Sequence, residues 1–127
     1  MIIAIDFDGV LVSDKFPEIG KPDWEMVSVV WRLGFTGHEL ILWTSRVEDR
    51  LEEAKQWCAE HDLKFVAVNA NAPSNLAKYG TDPRKVYADV YIDDRACGYS
   101  KDAAIRFLNS LFIEESYNDK QEYNSKR

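Results

Sequence analysis

The sequence predicts an α/β protein built on a three-layer, Rossmann-like, doubly wound parallel sheet. Four short apolar runs rich in β-forming residues alternate with segments of helical periodicity, the order expected of strands joined by right-handed crossovers. The runs are continuously apolar rather than alternating, which is typical of parallel strands covered on both faces. The four predicted strands are residues 2–5, 39–43, 65–68 and 89–92.

Three segments between and after these strands carry apolar residues at helical spacing. In residues 22–33, Pro22 occupies a position suited to the first residue of a helix. The second helix is expected to open at Ser45 and Glu48, which have the spacing of a capping box. The third predicted helix is residues 101–112.

Two segments do not fit this alternation. Residues 11–21 are too long for a tight strand-to-helix connection and predict a small flap over the strand ends, with Lys15 and Phe16 as its specificity elements. Residues 69–84 mix Asn, Pro and Gly around a short helix near residues 74–79.

Length and composition predict one domain with a packed core. The chain has 127 residues, of which 46% are hydrophobic, and four tryptophans, among them Trp24 and Trp31, are expected in the core. The predicted domain is residues 1–113, and residues 114–127 form a polar tail that is either a fraying helix or disordered.

Charge and cysteine usage exclude several classes of partner. The net charge of −6 opposes loose binding to a nucleic-acid backbone or an anionic membrane. No apolar stretch approaches the ~20 residues that span a bilayer. The two cysteines lack the spacing of a zinc site or a redox motif, so reduced thiols in a cytoplasmic protein are expected.

Two acidic pairs follow buried strands, which is the most informative feature of the chain. Asp6 and Asp8 end the first apolar run, and Asp93 and Asp94 end the last one. At an effective dielectric of 20, two like charges ~4 Å apart repel each other by roughly 4 kcal/mol. If both pairs meet at one edge of the sheet, only a bound cation or a proton relieves this repulsion.

Other polar residues at the strand ends complete a candidate phosphoryl-transfer site. Ligands of such sheets bind beyond the carboxyl ends of the strands, where Thr44 and Ser45 follow the second strand. Lys85 lies just upstream of the last strand, and Asn69 and Asn71 follow the third. Carboxylates, a hydroxyl and an ammonium group are what metal-assisted phosphoryl transfer requires.

These residues, in this order, resemble the four motifs of the haloacid dehalogenase (HAD) superfamily. The motifs are the DFDGVL run from Asp6, the LWT run ending at Thr44, Lys85, and the IDD run ending at Asp94. Residues 85–95 also resemble the matching stretch of 5′(3′)-deoxyribonucleotidases. The resemblance implies a HAD-like fold, but without a large cap domain, because only one flap and one helix separate the first two motifs.

The resemblance implies a role for each matching residue. Asp6 would be the nucleophile that forms an aspartyl-phosphate, and Asp8 would be the general acid and base. Thr44 and Lys85 would hold phosphate oxygens, and Lys85 would also contact the nucleophile. Ser45 and Arg46 are further candidates for phosphate binding.

A magnesium ion is implied at the same place. The backbone carbonyl of Asp8 and the carboxylates of Asp6 and Asp93 would bind Mg²⁺, with Asp94 in support. Mg²⁺ is favoured over zinc because every one of these ligands is an oxygen atom.

The sequence therefore predicts a Mg²⁺-dependent phosphomonoester hydrolase, with alternatives left open. Lys78 competes with Lys85 for the phosphate-bridging role, and Arg84 and Arg95 join Arg46 as basic residues flanking the mouth of the site. A phosphorylatable receiver domain and a catalytically silent phosphate-binding module are the other functional classes considered.

The predicted partner is a phosphorylated substrate. It would be a sugar phosphate, a nucleotide or the phosphorylated end of a macromolecule, because an uncapped site is open. A homo-oligomer in which a second subunit covers the site is a further expectation, and no membrane partner is expected.

Overall fold

The computed structural model describes residues 1–112, and the predicted polar tail, residues 114–127, lies outside the described residues, as does position 113. In chain order the elements are β1 (Ile2–Ile5), β2 (Val12–Lys15), β3 (Glu18–Pro22), α1 (Trp24–Gly34), β4 (Glu39–Leu42), α2 (Glu48–Glu60), β5 (Ala67–Val68), α3 (Pro73–Tyr79), β6 (Val90–Ile92) and α4 (residues 101–112).

Four of the strands form one parallel sheet in the order β5-β4-β1-β6. From β1 the chain moves outward through β4 and β5, and it then returns to the other side of β1 with β6. Rossmann-like sheets have such a reversal, and ligands bind where the strand order reverses. The α/β class and the Rossmann-like parallel sheet predicted from the sequence are therefore confirmed, with the four predicted strands present.

The two faces of this sheet are covered unequally. Side chains such as Ile3 and Leu42 pack in the main core with apolar residues of α1, α2 and α4. Ala4 and Ile41, which point to the opposite face, form a smaller cluster with Ala72 and Ala88, which lie at the start of α3 and before β6. The predicted coverage on both faces is present, but one layer is thin.

The predicted flap is an antiparallel hairpin made of β2 and β3. Its base is closed where the Asp23 N–H donates to the Leu11 carbonyl at 2.9 Å. Because β3 runs to Pro22, the first helix cannot begin there, and the predicted start of that helix was wrong. The N-cap of α1 is instead Asp23, whose side chain accepts from the Met26 N–H.

Two of the tryptophans predicted in the core lie at the surface instead. Trp24 is 60% exposed and Trp31 is 46% exposed on α1. The buried stripe of α1 is made by aliphatic residues, among them Met26, Val30 and Leu33. No helix within residues 1–112 has the length and apolar character needed to cross a membrane.

Candidate active site

Three carboxylates meet where the strand order of the sheet reverses. The register pairs Ile5 of β1 with Ile92 of β6, and the Asp6 N–H donates to the Ile92 carbonyl at 2.9 Å. Asp6 and Asp93 therefore follow neighbouring strands at the same sheet edge. Oxygen atoms of Asp6, Asp93 and Asp94 all lie within 4.8 Å of one another.

This grouping changes the acidity of Asp6. Burial raises the pKa of Asp6 most, and the carboxylates of Asp94 and Asp93 raise it further, whereas the Phe7 N–H lowers it; the result is a pKa of about 8. Burial and like charges both disfavour the ionised form of a carboxyl group. The cluster thus holds a proton at neutral pH unless a cation takes its place.

Asp94 has a buried oxygen atom that no described residue satisfies. Its Oδ1 atom is buried and has no hydrogen-bond partner within residues 1–112. Gly9, at φ +86°, packs directly against this carboxylate, so that a Cβ atom at position 9 would lie 2.1 Å from Asp94 Oδ2. Buried polar atoms are nearly always satisfied. An oxygen-binding cation such as Mg²⁺ fits both this unsatisfied atom and the all-carboxylate donor set.

Asp8 is held by Arg46 in a two-point ion pair. Arg46 Nε donates to Asp8 Oδ2 at 2.7 Å, and Arg46 Nη2 donates to Asp8 Oδ1 at 2.8 Å. Arg46 is only 2% exposed, and the hydrogen bonds that it donates to Asp8 raise the pKa of its guanidinium. Bidentate pairing of this kind fixes the orientation of the carboxylate as well as its charge.

The remaining donors of Arg46 bind backbone carbonyl groups of the hairpin and of α2. Nη1 donates to the carbonyls of Pro17 at 3.2 Å and Arg50 at 3.4 Å, and Nη2 donates to the Glu18 carbonyl at 2.8 Å. With the two bonds to Asp8, all five guanidinium N–H groups are used. Arg46 therefore has no donor left for a substrate anion, and the prediction that it binds phosphate is corrected to a structural and positioning role.

Thr44 is oriented by two backbone-to-side-chain hydrogen bonds. Its N–H donates to Asn69 Oδ1 at 2.8 Å, and its Oγ1 accepts from the Arg46 N–H at 3.1 Å. The hydroxyl hydrogen of Thr44 remains available to donate into the pocket. Asn69, which the sequence placed after the third strand, thus supports Thr44, whereas Asn71 is buried and bonds to Asp82 instead.

Ser45 does not cap the second helix as its spacing with Glu48 predicts. The N-cap of α2 is Val47, which makes no side-chain capping bond, and Glu48 has a φ of 53°. Ser45 is exposed and lines the pocket next to Thr44. Its hydroxyl therefore stays among the candidates for phosphate binding.

The two lysines proposed to bridge the phosphate do not line the pocket. Lys85 Nζ lies 5.6 Å from the centre of the Tyr91 ring, and Lys78 Nζ lies 5.2 Å from that of Tyr79. The chain leading into β6 contacts the amino-terminal end of β1, where the Asp89 N–H donates to the Ile2 carbonyl at 2.8 Å. This is the end of the sheet opposite to Asp6. The phosphate-bridging role implied for Lys85 stays a prediction, and Lys85 does not line the pocket.

The basic side chains that line the pocket are Arg46 and Arg95. Arg95 is exposed, and its backbone N–H donates to Asp93 Oδ1 at 2.9 Å. Its guanidinium makes no ion pair or hydrogen bond within residues 1–112. Arg84, the third arginine expected at the mouth, does not line this pocket. Arg95 is therefore the described cation best placed to meet a phosphate group.

These residues surround a pocket of about 870 Å³, which is the size of a small-molecule site. Phe16, at the turn of the hairpin, forms part of its wall, so the predicted flap borders the pocket. The lining residues are Asp6, Asp8, Asp14, Phe16, Trp43, Thr44, Ser45, Arg46, Asp93 and Arg95.

Fold and site together define an α/β protein with a Rossmann-like parallel sheet whose strand ends gather carboxylates around a small-molecule pocket. The chain is similar to a conserved protein from Bacteroides thetaiotaomicron of known structure, with 34% sequence identity and a TM-score of 0.74. The similarity covers 87% of this chain and 91% of the other. The chain therefore belongs to the same family as that conserved Bacteroides protein. No protein-family model and no curated protein matches it.

Proposed function

We propose that this protein is a Mg²⁺-dependent phosphomonoester hydrolase of the HAD type, with Asp6 as nucleophile and Asp8 as general acid and base. The observation that carries the proposal is the convergence of oxygen atoms of Asp6, Asp93 and Asp94 within 4.8 Å, with one buried carboxylate oxygen that has no partner among the described residues. A protein gains no stability from this arrangement without a ligand, because burial and mutual repulsion both oppose the charged carboxylates.

Asp6 and Asp93 would hold the ion, with Asp94 in support and the backbone carbonyl of Asp8 added by analogy with the superfamily. When bound, the ion supplies charge neutralisation for the carboxylates and for the phosphate of the substrate. The remaining groups of the pocket act on the substrate itself, with Thr44, Ser45 and Arg95 as donors to phosphate oxygens.

The first step uses the nucleophile and the acid together. The Phe7 N–H holds Asp6 Oδ1 at 2.8 Å, so the other oxygen of the same carboxylate is the attacking atom. Asp6 attacks phosphorus while the bond between phosphorus and the leaving oxygen breaks. The protonated form of Asp8 gives its proton to that oxygen, which leaves as an alcohol. The phosphoryl group is now attached to Asp6.

The second step returns the enzyme to its starting state. A water molecule attacks the phosphorus of the aspartyl-phosphate and gives a proton to the Asp8 carboxylate. The bond between Asp6 and phosphorus breaks, and inorganic phosphate leaves. Arg46 uses one lone pair on each oxygen of Asp8, so each oxygen keeps another lone pair for this proton transfer.

Hydrolysis of an alkyl phosphate in the presence of Mg²⁺ tests the proposal. We expect the wild-type protein to release inorganic phosphate and Asp6→Asn to release none above the uncatalysed rate, because an amide is a poor nucleophile. Asp62→Asn is the matched control, since Asp62 is exposed just after α2 and away from the pocket. Equal phosphate release by wild type and Asp6→Asn would refute the assignment of the nucleophile.

Binding of the ion can be measured independently of turnover. At a Mg²⁺ concentration 100 times its dissociation constant, the free energy of unfolding should rise by about 2.7 kcal/mol. We expect Asp93→Asn to lose this stabilisation and Asp62→Asn to keep it. If Mg²⁺ stabilises wild type and Asp93→Asn equally, the carboxylate cluster is not the metal site.

A further inference from the structure

The outer face of α1 and its C-cap carries three large aromatic side chains that the core does not cover. Trp24, Trp31 and Phe35 are 60%, 46% and 57% exposed. Positions 24, 31 and 35 are separated by seven and four residues, so these side chains lie on one face of the helix. The Trp31 and Phe35 ring centres lie 5.0 Å apart. Together the three residues form the aromatic stripe of α1.

Charged residues of opposite sign flank this stripe near its two ends. Glu25, near the start of α1, lies on the side that faces α4, where its carboxylate is 3.9 Å from Lys101 Nζ. Lys64, which follows α2, lies on the other side near the end of α1, next to Gly34, and its Nζ is 5.9 Å from the Phe35 ring centre. An exposed apolar patch with a polar rim is typical of a protein-protein contact.

We propose that the aromatic stripe is the contact surface between two copies of this chain, related by a two-fold axis with their α1 helices antiparallel. An axis through the middle of the stripe places position 24 of one copy opposite position 35 of the other. Trp24 then packs on Phe35 of the second copy, and Trp31 packs on Ser28. Ser28 is exposed and small, so it leaves room for the indole ring.

The same axis pairs the flanking charges. A two-fold rotation exchanges both the ends and the sides of the stripe, so it brings Glu25 of one copy next to Lys64 of the other. Each contact occurs twice, because a two-fold interface is formed by the same surface of both subunits. The stripe is thus complementary to itself in shape and in charge, and a second copy of the chain is the partner that this complementarity favours.

The exposed area predicts a weak dimer. An aromatic side chain buries about 150–250 Å² when it is covered, so the exposed parts of the three rings supply roughly 300 Å² per copy. A standard interface buries about 800 Å² per partner, so the rings form an apolar centre that polar residues must surround. We expect a dissociation constant of about 10 µM for the dimer.

This interface is separate from the candidate active site. None of the residues of the aromatic stripe lines the pocket around Asp6 and Asp8. The contact is therefore different from the subunit that the sequence led us to expect over the site. The inference does not depend on the proposed hydrolase function.

Sedimentation velocity of the full chain over a range of concentrations tests the proposal. We expect Phe35→Glu to raise the dissociation constant of the dimer at least about 30-fold, because it places two charges in the apolar centre. Tyr79→Glu is the matched control, since Tyr79 is also 57% exposed but lies on α3. It should leave the dissociation constant unchanged. A wild-type protein that stays monomeric at about 1 mM would overturn the proposal, as would equal dissociation constants for wild type and Phe35→Glu.

Exchange of the two charges tests the antiparallel arrangement. Glu25→Lys places two lysines opposite each other at each end of the interface and should weaken the dimer, and Lys64→Glu should do the same with two carboxylates. The double variant Glu25→Lys/Lys64→Glu restores opposite charges across the interface and should recover most of the affinity. A double variant that is as weak as either single variant would refute this arrangement.

Quenching of tryptophan fluorescence lifetimes by acrylamide distinguishes a second copy from a cover within the same chain. We expect quenching of wild type to decrease as protein concentration rises through the dissociation constant, and quenching of Phe35→Glu to stay constant. Protection of wild type that is equally strong at every concentration would mean that residues 113–127 of the same chain cover the stripe, and it would overturn the proposal.

Discussion

The guanidinium of Arg46 and the carboxylate of Asp8 are joined by two hydrogen bonds, 2.7 Å from Nε to Oδ2 and 2.8 Å from Nη2 to Oδ1. The same guanidinium donates to the carbonyl groups of Pro17 and Glu18 in the hairpin. One buried side chain thus orients the proposed general acid and also fixes the element that carries Phe16.

Replacement of Arg46 by lysine tests its role in positioning Asp8. Lysine keeps the positive charge but cannot make the two-point contact. We expect kcat for an alkyl phosphate to fall about 100-fold, the usual size of a general-acid contribution. The fall for an aryl phosphate should be much smaller, because its leaving group needs little protonation. Steady-state kinetics with both substrates measures the difference.

Arg50→Lys is the control for this experiment, because Arg50 lies on α2, four residues after Arg46, in a partly exposed ion pair with Glu53. It should change neither substrate's rate appreciably. An equal fall in kcat for alkyl and aryl phosphates in Arg46→Lys would mean that Arg46 only stabilises the fold. Arg46→Ala should destabilise the protein by about 3 kcal/mol or more, since it leaves Asp8 without its buried partner.

The raised pKa of Asp6 predicts a pH-dependent stability of the metal-free protein. The pKa of Asp6 rises from its ordinary 3.8 to about 8 on folding. Between these pH values the folded state binds a proton that the unfolded state releases, so the free energy of unfolding falls as pH rises from about 4 to about 8. Asp6→Asn removes this dependence. Urea unfolding of both proteins in a chelator, at pH 5 and pH 8, measures it.

We expect the stability advantage of Asp6→Asn over wild type to be larger at pH 8 than at pH 5. Added Mg²⁺ should restore the stability of wild type at pH 8. Asp62→Asn, with an exposed carboxylate, should follow wild type at both pH values. Parallel pH profiles for Asp6→Asn and wild type would show that the Asp6 carboxyl is not buried against Asp93 and Asp94.

Gly9→Ala tests the close contact with Asp94. An alanine Cβ would lie 2.1 Å from Asp94 Oδ2, so the carboxylate must move. Gly37 has nearly the same φ angle, +85° against +86°, but nothing lies within 4 Å of a Cβ added there. Each substitution should lower the free energy of unfolding by about 1–2 kcal/mol, because alanine is strained in a left-handed backbone conformation.

We expect Gly9→Ala to be destabilised more than Gly37→Ala and, in addition, to lose Mg²⁺ affinity. Titration with Mg²⁺, followed by the shift in unfolding temperature, compares the two variants. Equal Mg²⁺ affinity in both would show that the position of Asp94 does not affect the ion.

Arg95→Ala and Lys85→Ala together test which cation meets the phosphate. Arg95 lines the pocket and Lys85 does not. We expect Arg95→Ala to raise KM about tenfold, the effect of losing a hydrogen bond to a charged group worth about 1.5 kcal/mol. The KM of Lys85→Ala should stay within about twofold of the wild-type value. The reverse result, a large rise in KM with Lys85→Ala alone, would support the lysine role implied by the superfamily resemblance.

Local sequence patterns predicted the strands and the acids well. A continuously apolar run such as residues 2–5 can be stable only when both faces are covered, so it indicates a central parallel strand without further information. Asp6 and Asp93 follow two such runs directly, and parallel strands bring their carboxyl ends to one edge. The convergence of these two residues could therefore be expected from the chain alone.

Predictions that depended on where a long side chain reaches were less successful. Arg46 was expected at the mouth of the site and is instead buried against Asp8 and the hairpin. Four of its five hydrogen bonds go to Asp8 and to the hairpin carbonyls of Pro17 and Glu18, which are at least 28 residues away in sequence, so no local pattern encodes them. The place of Lys85 depends in the same way on the path of the loop before β6, which contacts the amino-terminal end of β1 at Asp89.

The order of apolar runs and acidic pairs determined the parallel sheet and the meeting of its carboxylates, since both follow from strand periodicity and from the common direction of parallel strands. Tertiary structure alone decided the partners of those carboxylates. The Arg46 ion pair with Asp8, the contact of Gly9 with Asp94 and the place of Phe16 all depend on packing between distant segments. Short-range periodicity contains no information about such packing.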